Sequence, residues 1–431
     1  MQLLDLITIF IFALGIVIMG LSFSGKGRNM KSFFAAGGAV PWAMSGLSLF
    51  MGFFSAGTFV VWGSIAYSLG WIAISIQWTM AIAGFVVGFF IAPRWHKTSA
   101  LTVAEYITRR LGVNTQKTYT YLFLFISLFT TGSFLYPVAK IVEVSTGMPL
   151  DLCILLLGGF CIVYVAAGGL WAVVSTDVLQ FIILTAAVLI VVPLSFGRVG
   201  GVVNFIESIP ATYFNLVNGE YTIGFIIAFG VYNAIFLGGN WAYVQRYASV
   251  NSQSSARKVG FLFGGLYVVS AVLWMLPPMI YRIVNPSLST IDAEGAYLMM
   301  CKEVLPAGLL GLMLSGMVFA TASSLNATLN ISSGVVTNDI FKRLFPQSSD
   351  KTLMRVARIS TIIFGLLAII VALLIPLMGG IVNVVISVAA LTGVPLYLPI
   401  IWTLFSKRQT EYSVITTTLV SLGANAFFKF I

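Results

Sequence analysis

The sequence predicts an all-helical, polytopic membrane protein, on the evidence of its composition, its apolar spans and the placement of its basic residues. Only 8% of the 431 residues are charged and 59% are hydrophobic, which excludes a soluble globular protein. A helix needs about 20 apolar residues to cross a bilayer. We therefore expect about twelve transmembrane helices in a single domain over 1–431, at residues 4–23, 41–69, 71–93, 119–146, 150–172, 175–197, 222–245, 259–284, 305–338, 353–377, 380–405 and 412–430.

The basic residues predict the orientation of the chain. Eighteen Lys and Arg residues lie in alternate loops, whereas four lie on the opposite side. Cytoplasmic loops carry the excess of Lys and Arg. We therefore expect a multi-pass protein of the cell membrane with its N-terminus outside. The net charge of +10 reflects this topology and contact with anionic membrane lipid, so no nucleic-acid partner is expected.

Two of the predicted spans contain breaks at glycine. Gly52 and Gly57 bracket Ser55 in the second span, and the seventh span contains the run 229–240. With helix 4–23 set aside, each broken span opens a set of five, at 41–197 and 222–405, and helix 412–430 follows. An odd-numbered set requires the second copy to be inverted. Paired interruptions of this kind point to the binding site of a transporter, although glycines also serve close helix packing.

Hydroxyl groups late in the ninth span predict an ion site. Ser323 and Ser324 follow Ala320 by one turn, in sequence that otherwise belongs in hydrocarbon, where hydroxyls need an internal partner. The Ala320 carbonyl and the two hydroxyls form half of an oxygen cage, and the carbonyls of Met51 and Phe54 at the first break supply the other half. Five neutral oxygens suit a hard monovalent cation, because higher charge demands carboxylates. Ordinary hydrogen bonding between helices is the alternative.

Further uncharged polar residues predict a solute pocket beside this ion. Ser55 and Thr58 lie at the first break, Gln77 lies in the next span, and Asn233 lies at the second break. Neutral amides and hydroxyls suit a polyol, an amide or a zwitterion. Each residue taken alone is also explained by hydrogen bonding between helices.

Charged residues inside the spans are scarce, so each one is a candidate functional group. Asp177 is interpreted either as part of an ion exit path or second cation site, or as an N-cap that opens the sixth span. Lys140 and Glu143 are interpreted either as a local pair reaching toward the outer surface, or as a site where Lys140 meets a substrate carboxylate.

The chemistry-bearing residues argue against an enzyme. The only histidine, His96, lies in a basic loop. Neither a nucleophile–His pair nor paired carboxylates occur in the spans. Cys153, Cys161 and Cys301 lack the spacing of metal ligands and are expected to pack as small apolar side chains.

Five sequence blocks in order resemble the sodium:solute symporter family, which includes sodium-coupled sugar, proline, pantothenate and sialic acid carriers. They are Ser32 to Gly38 with Ser55 to Phe59, then Ala104 to Gly112, Gly168 to Gln180, Asn240 to Tyr247, and Ala320 to Arg343. The resemblance implies a leucine-transporter-like fold with two inverted five-helix repeats plus flanking helices. It implies sodium bound by the carbonyls of Met51, Phe54 and Ala320 and by the hydroxyls of Ser323 and Ser324.

The same resemblance implies a substrate site and some departures from the family pattern. Ser55, Thr58, Gln77 and Asn233 would line the site, Phe236 would be an aromatic inner gate, and Ser387 would face the site from the tenth core helix. Asn326 and Ala327 stand where some members have serines that bind an additional sodium, so one sodium per cycle is expected. Relatives that carry sugars can have a carboxylate at the position of Gln77, which weakens a sugar assignment.

The function expected from the sequence is sodium-coupled symport. The chain would import a small polar organic solute with a sodium ion by alternating access, in contact with membrane lipid. Two alternatives remain at this point: a proton-coupled carrier of the same fold, and a sensor that binds solute without moving it. Neither the identity of the solute nor the oligomeric state is predicted.

Overall fold

The structure is a computed structural model that describes residues 2–24, 38–100, 102–165 and 170–430. Within its helices, a few side chains lie outside the description, at 16, 17, 19–21, 23, 24, 160, 163–165, 170–173, 290, 291, 322, 323, 326, 327, 330, 390, 391, 429 and 430. The prediction for Ser323 and the comparison at Asn326 and Ala327 fall among these side chains. Most of block Ser32 to Gly38 and the start of block Gly168 to Gln180 also lie outside the described residues.

The described chain is helical almost throughout, as the composition predicts. The α-helices are α1 Leu3–Ser24, α2 Trp42–Met51, α3 Gly63–Leu69, α4 Trp71–Val86, α5 Ala92–Lys97, α6 Val103–Leu111, α7 Val113–Thr146, α8 Leu150–Val165, α9 Leu170–Arg198, α10 Val202–Ser208, α11 Ile223–Gly239, α12 Trp241–Ala248, α13 Gln253–Val284, α14 Thr290–Ala293, α15 Ala296–Val304, α16 Leu309–Val335, α17 Lys342–Leu344, α18 Asp350–Leu374, α19 Ile381–Thr392, α20 Leu398–Thr403 and α21 Glu411–Phe430. Wider π-helical turns occupy Thr58–Trp62, Val87–Ile91, Val336–Phe341 and Gly393–Tyr397, and 3-10 turns occupy Ala211–Phe214 and Ile375–Met378.

Both predicted breaks are present in the structure. Helix α2 ends at Met51, and helical structure resumes at Ala56 and runs through a π-helical turn into α3. Helices α11 and α12 meet at Asn240 with a bend of 59°. The Asn240 side chain accepts a hydrogen bond from the Ala242 N–H at 2.9 Å and so caps α12. The second break therefore lies at Asn240, about two helical turns beyond Asn233.

The lengths of the helices test the predicted number of twelve transmembrane spans only in part. Among the described residues, six helices are long and apolar enough to cross a membrane, or up to seven when the bent pair α11–α12 counts as one span. Shorter apolar helices cover parts of the other predicted spans. The protein is thus a multi-pass membrane protein, and the number twelve stays a prediction.

Glycines allow the backbones of α4 and α13 to pack in direct contact. A Cβ atom added at Gly84 would lie 2.8 Å from the Gly264 Cα, and one added at Gly260 would lie 2.5 Å from the Gly88 Cα. Any larger side chain at these positions would force the helices apart. This glycine seam, defined by Gly84, Gly88, Gly260 and Gly264, joins the second helix of the first repeat to the second helix of the inverted repeat.

The N-terminal helix α1 packs along α9 and α16, outside the repeats. Asp5 Oδ1 accepts hydrogen bonds from the N–H groups of Gly308 at 2.7 Å and Gly311 at 3.1 Å. A carboxylate placed on the first N–H groups of α16 satisfies donors that have no partner within the helix. The extra helix is therefore fastened to the helix that carries the predicted ion site.

Candidate functional site

A cavity of about 170 Å³, which we call the central cavity, lies between the two broken helices. It brings together five of the six predicted substrate residues: Ser55, Thr58, Gln77, Asn233 and Phe236. Their elements α2–α3, α4 and α11 pack on one another, with α13 behind them. Residues about 180 positions apart in the chain thus line the same cavity, as predicted from the sequence.

Ser387 is the predicted substrate residue that the structure does not place on the cavity wall. Its hydroxyl donates to the Asn383 carbonyl of the same helix at 2.7 Å. Its neighbours Ile386 and Val388 line the cavity instead. Helix α19 therefore contributes an apolar face at this point, and sequence alone did not establish the rotation of that helix.

The predicted ion site is partly assembled in the structure. The Ser324 Oγ atom lies 3.5 Å from the Ala320 carbonyl oxygen and 3.4 Å from the Gly52 carbonyl oxygen. Met51 and Phe54 are both buried, at 0% and 1% exposure. The carbonyl that faces Ser324 across the helix interface is thus that of Gly52, between the two carbonyls named from the sequence. The Ser323 side chain is outside the description.

Thr321 forms a hydrogen bond to the first break beside the predicted ion site. Its Oγ1 atom accepts a hydrogen bond from the Ala56 N–H at 3.0 Å and donates to the Met317 carbonyl at 2.9 Å. The Ala56 N–H belongs to the stretch where the helix restarts, so it would otherwise be a buried donor without a partner. Thr321 is not among the residues predicted from the sequence, although it directly follows Ala320.

Asp177 belongs to a buried polar chain that crosses three helices. The Ser48 Oγ atom donates to Asp177 Oδ2 at 2.5 Å and accepts from Arg246 Nε at 3.2 Å. Asp177 is 1% exposed and Arg246 is 5% exposed. Because α9 begins at Leu170, Asp177 lies within the helix, and the N-cap interpretation is wrong. Arg246 was counted with the basic loops, but it is a buried residue of α12.

A smaller space of about 50 Å³, which we call the inner cavity, links this polar chain to the central cavity. Its wall includes Ser48, Asp177, Arg246 and Ser324. Gly52, Phe236, Tyr243 and Tyr397 line both cavities. The predicted ion site and the Asp177 carboxylate therefore open onto one space, and four aromatic rings, with Phe134 as the fourth, stand between that space and the central cavity.

Phe236 lies in the position expected of an aromatic barrier. Its ring packs at right angles to Phe53 with 6.4 Å between centroids, and it also contacts Tyr243 at 5.5 Å and Tyr397 at 6.0 Å. Edge-to-face contacts of this kind stabilise a cluster beyond simple burial. Its role as a gate stays a prediction.

Lys140 pairs locally and does not line the central cavity. Its Nζ atom lies 2.9 Å from Glu143 Oε2. Glu294, at the junction of α14 and α15, lies close enough to act on the same charges and is 6% exposed. Burial raises the pKa of Glu294 to about 7, against the opposing effects of the Lys140 ammonium and the Ile381 N–H. The interpretation of Lys140 and Glu143 as a pair is confirmed.

A column of aromatic rings follows one face of α11 toward the central cavity. Centroids lie 5.5 Å apart for Phe225 and Phe229, 5.5 Å for Phe229 and Tyr232, and 5.6 Å for Tyr232 and Phe236, with interplanar angles of 11°, 27° and 18°. We call these four residues the aromatic ladder. Their spacing of four, three and four residues is typical of one helix face, so this aromatic column could have been predicted from the sequence.

Comparison with known proteins identifies the family. The family model described as the sodium:solute symporter family matches residues 33–420. This chain belongs to the sodium:solute symporter family. A sodium/glucose cotransporter of Vibrio parahaemolyticus is 28% identical over 471 aligned residues, which cover 99% of this chain and 86% of the relative. The coupling ion of this symporter family is sodium, in agreement with the prediction from Ser324 and its neighbours.

Solved structures confirm the fold of this symporter-family member. A sodium-coupled sialic acid symporter in a substrate-bound, outward-open state matches with a TM-score of 0.79 and 20% identity, over 99% of this chain and 97% of that chain. A nucleobase-cation-symport-1 family transporter in a closed conformation matches with a TM-score of 0.58 and 14% identity, over 92% and 94%. The predicted leucine-transporter-like fold, with two inverted five-helix repeats, is confirmed.

Proposed function

We propose that this protein imports a small polar organic solute together with sodium by alternating access, across the cell membrane, with its N-terminus outside. The observation that carries the proposal is the position of Gly52. Its carbonyl oxygen lies 3.4 Å from the Ser324 hydroxyl, and the same residue lines the central cavity that contains Gln77 and Asn233. An ion held at Ser324 would therefore order the backbone that closes one side of the solute site.

We expect a single sodium per cycle. The Asp177 carboxylate is the charged group that would attract a second cation, but it is already joined to the Arg246 guanidinium through Ser48. The remaining oxygens near Ser324 are neutral and suit a monovalent ion. As sodium leaves the site, the inner cavity past Asp177 is the proposed exit path. Coupling is reciprocal, so a solute that sodium helps to bind will tighten sodium by the same factor.

Sodium titration of the purified protein tests the proposal without a known solute. Tryptophan fluorescence or thermal stability would be followed as sodium replaces choline at fixed pH and ionic strength. We expect a saturable sodium response whose midpoint rises at least about tenfold in Ser324→Ala. Ser315→Ala is the matched control, because Ser315 is buried in the same helix and its hydroxyl donates to the Gly311 carbonyl four residues earlier.

The outcomes separate the proposal from its alternatives. An unchanged sodium midpoint in Ser324→Ala would remove the ion site. A response to pH without a response to sodium would favour proton coupling. A sodium response without sodium-driven uptake of any bound solute into proteoliposomes would favour a sensor that does not transport.

A further inference from the structure

Among the described residues, no charged side chain lies in the wall of the central cavity. The 25 residues that line it include neither Asp, Glu, Lys, Arg nor His. Lys140 is paired with Glu143, and Arg246 is joined to Asp177 through Ser48. An ionised solute group in this space would lose its water without meeting an opposite side-chain charge, which is costly.

Most backbone N–H groups at the two breaks are already committed and do not replace the missing charges. At the first break, the N–H groups of Gly52, Phe53, Phe54, Ala56 and Thr58 all donate within the protein. At the second break, the N–H groups of Asn240, Ala242 and Tyr243 do the same. A carboxylate bound at a broken helix needs free N–H groups. These eight are already used, so the wall favours an uncharged solute.

Several polar side chains of the wall are committed to internal hydrogen bonds. Asn233 Nδ2 donates to Thr79 Oγ1 at 2.8 Å, and four hydroxyls donate to carbonyls of their own segments, at Thr58, Thr130, Ser133 and Thr392. Gln77 differs from them: its Nε2 atom is buried without a hydrogen-bond partner among the described residues. Since Gln77 lines the cavity, this buried donor is available to a polar group of the solute.

The rest of the wall is mainly aromatic and apolar, although it also includes Ser55, Tyr232, Tyr243 and Tyr267. Nine of the 25 lining residues are aromatic, and three of them, Phe229, Tyr232 and Phe236, belong to the aromatic ladder. Their rings form a continuous stacked surface from the first turn of α11 to its last turn. A flat, apolar ring gains stacking and burial on such a surface. A molecule covered with hydroxyls would instead lose hydrogen bonds to water, at about 1–3 kcal/mol for each unsatisfied group.

We infer that the solute is an uncharged molecule with a flat apolar ring and one hydrogen-bond-accepting head group. The head accepts from Gln77 Nε2, and the ring lies against Phe229, Tyr232 and Phe236. The ladder gives the ring a path along α11 into the site. This inference rests on the proposed function, since it names the substrate class of the same site, and it separates this protein from a carrier of free sugars.

Matched small probes test the inference on the intact protein in detergent. Benzamide and nicotinamide carry a ring and a carbonyl acceptor, whereas benzoate and nicotinate are the corresponding anions. D-Glucose and myo-inositol represent polyols. Binding would be measured by thermal shift and calorimetry in sodium and in choline. We expect sodium-dependent binding of at least one uncharged aromatic amide, with its anion and the polyols bound at least about tenfold more weakly.

Variants assign the two parts of the site. Gln77→Ala should weaken amide binding about fivefold, and Phe229→Leu should weaken it about 3- to 10-fold. The matched controls are Gln116→Ala and Phe261→Leu. Gln116 is a buried glutamine bonded to Thr120, and Phe261 packs on Phe89, and both lie outside the cavity wall. Controls should bind as the parent protein does.

The failures of this inference and of the proposed function look different. Sodium-dependent binding of glucose, inositol or either anion that is as tight as binding of the amides overturns the substrate class and leaves sodium coupling in place. The same conclusion follows if neither aromatic amide binds. Equal amide binding in Gln77→Ala and in the parent protein overturns the role of the head group. Absence of any sodium response, with or without probes, overturns the proposed function itself.

Discussion

Asp177 and Arg246 are joined by one hydroxyl, that of Ser48, which donates to the carboxylate and accepts from the guanidinium. The three residues come from α9, α12 and α2, so the contact ties together parts of both repeats. Asp177→Ala should destabilise the protein by about 3–5 kcal/mol, because it leaves the buried Arg246 charge without compensation. Thermal unfolding in detergent measures this loss.

A double variant checks that the loss comes from the charge of Arg246. Asp177→Ala combined with Arg246→Met should be more stable than Asp177→Ala alone, since no unpaired charge remains. Strictly additive losses would mean that the two side chains do not interact, and the polar chain would then have no energetic importance.

Thr321 is expected to support the first break. Thr321→Val removes the acceptor of the Ala56 N–H and leaves that donor buried, at a cost of about 1–3 kcal/mol. Thr361→Val is the control, because Thr361 is buried and donates to the Ala357 carbonyl in the same way but has no hydrogen bond to another helix in the described part of the chain. Thermal unfolding should separate the two variants, and equal losses would show that the contact with Ala56 contributes nothing.

Glu294 predicts a dependence of stability on pH. Its pKa in the folded protein, about 7, lies above the ordinary value of 4.5, so the folded state holds the proton more tightly than the unfolded state does. The contribution of Glu294 to stability should therefore be greatest below about pH 4.5. This contribution should be lost as pH rises from about 4.5 through about 7. The melting temperature measured between about pH 5 and pH 8 should decline by a few degrees.

Glu294→Gln should flatten this part of the pH profile, because the amide does not titrate. The exposed Glu220 supplies the control variant Glu220→Gln, which should keep the slope of the parent protein. Were both variants to keep that slope, the titrating group would lie elsewhere.

The glycine seam offers a comparison between neighbouring residues. A Cβ atom at Gly264 would lie 2.9 Å from the Ala81 carbonyl oxygen, whereas one at Gly265 would meet nothing within 4 Å. Gly264→Ala should destabilise the protein by about 1–3 kcal/mol. Gly265→Ala should be neutral or stabilising by up to about 1 kcal/mol, because alanine favours the helix. Equal melting temperatures would show that the seam tolerates separation.

The sequence predicted local features of the fold and site better than contacts between distant segments. The breaks near Gly52 and Asn240 follow from glycine and asparagine in apolar runs, and the cavity residues Gln77 and Asn233 follow from their polarity. The position of Ser387 depended on the rotation of α19, which its mixed apolar sequence leaves open. No feature of the sequence around Arg246 shows that it contacts Ser48. The two residues lie 198 positions apart, and an arginine beside a basic loop is expected to be exposed.

The glycine seam has a mechanical consequence. Where backbone atoms of the two helices touch directly, as at Gly84 and Gly260, no rotamer can change to let one helix slide along the other. We expect α4 and α13 to keep their spacing while the protein changes shape, and rearrangement to occur at other helix contacts. The two inverted repeats would then share one rigid helix pair, and the two broken helices would move together with it as a single rigid body.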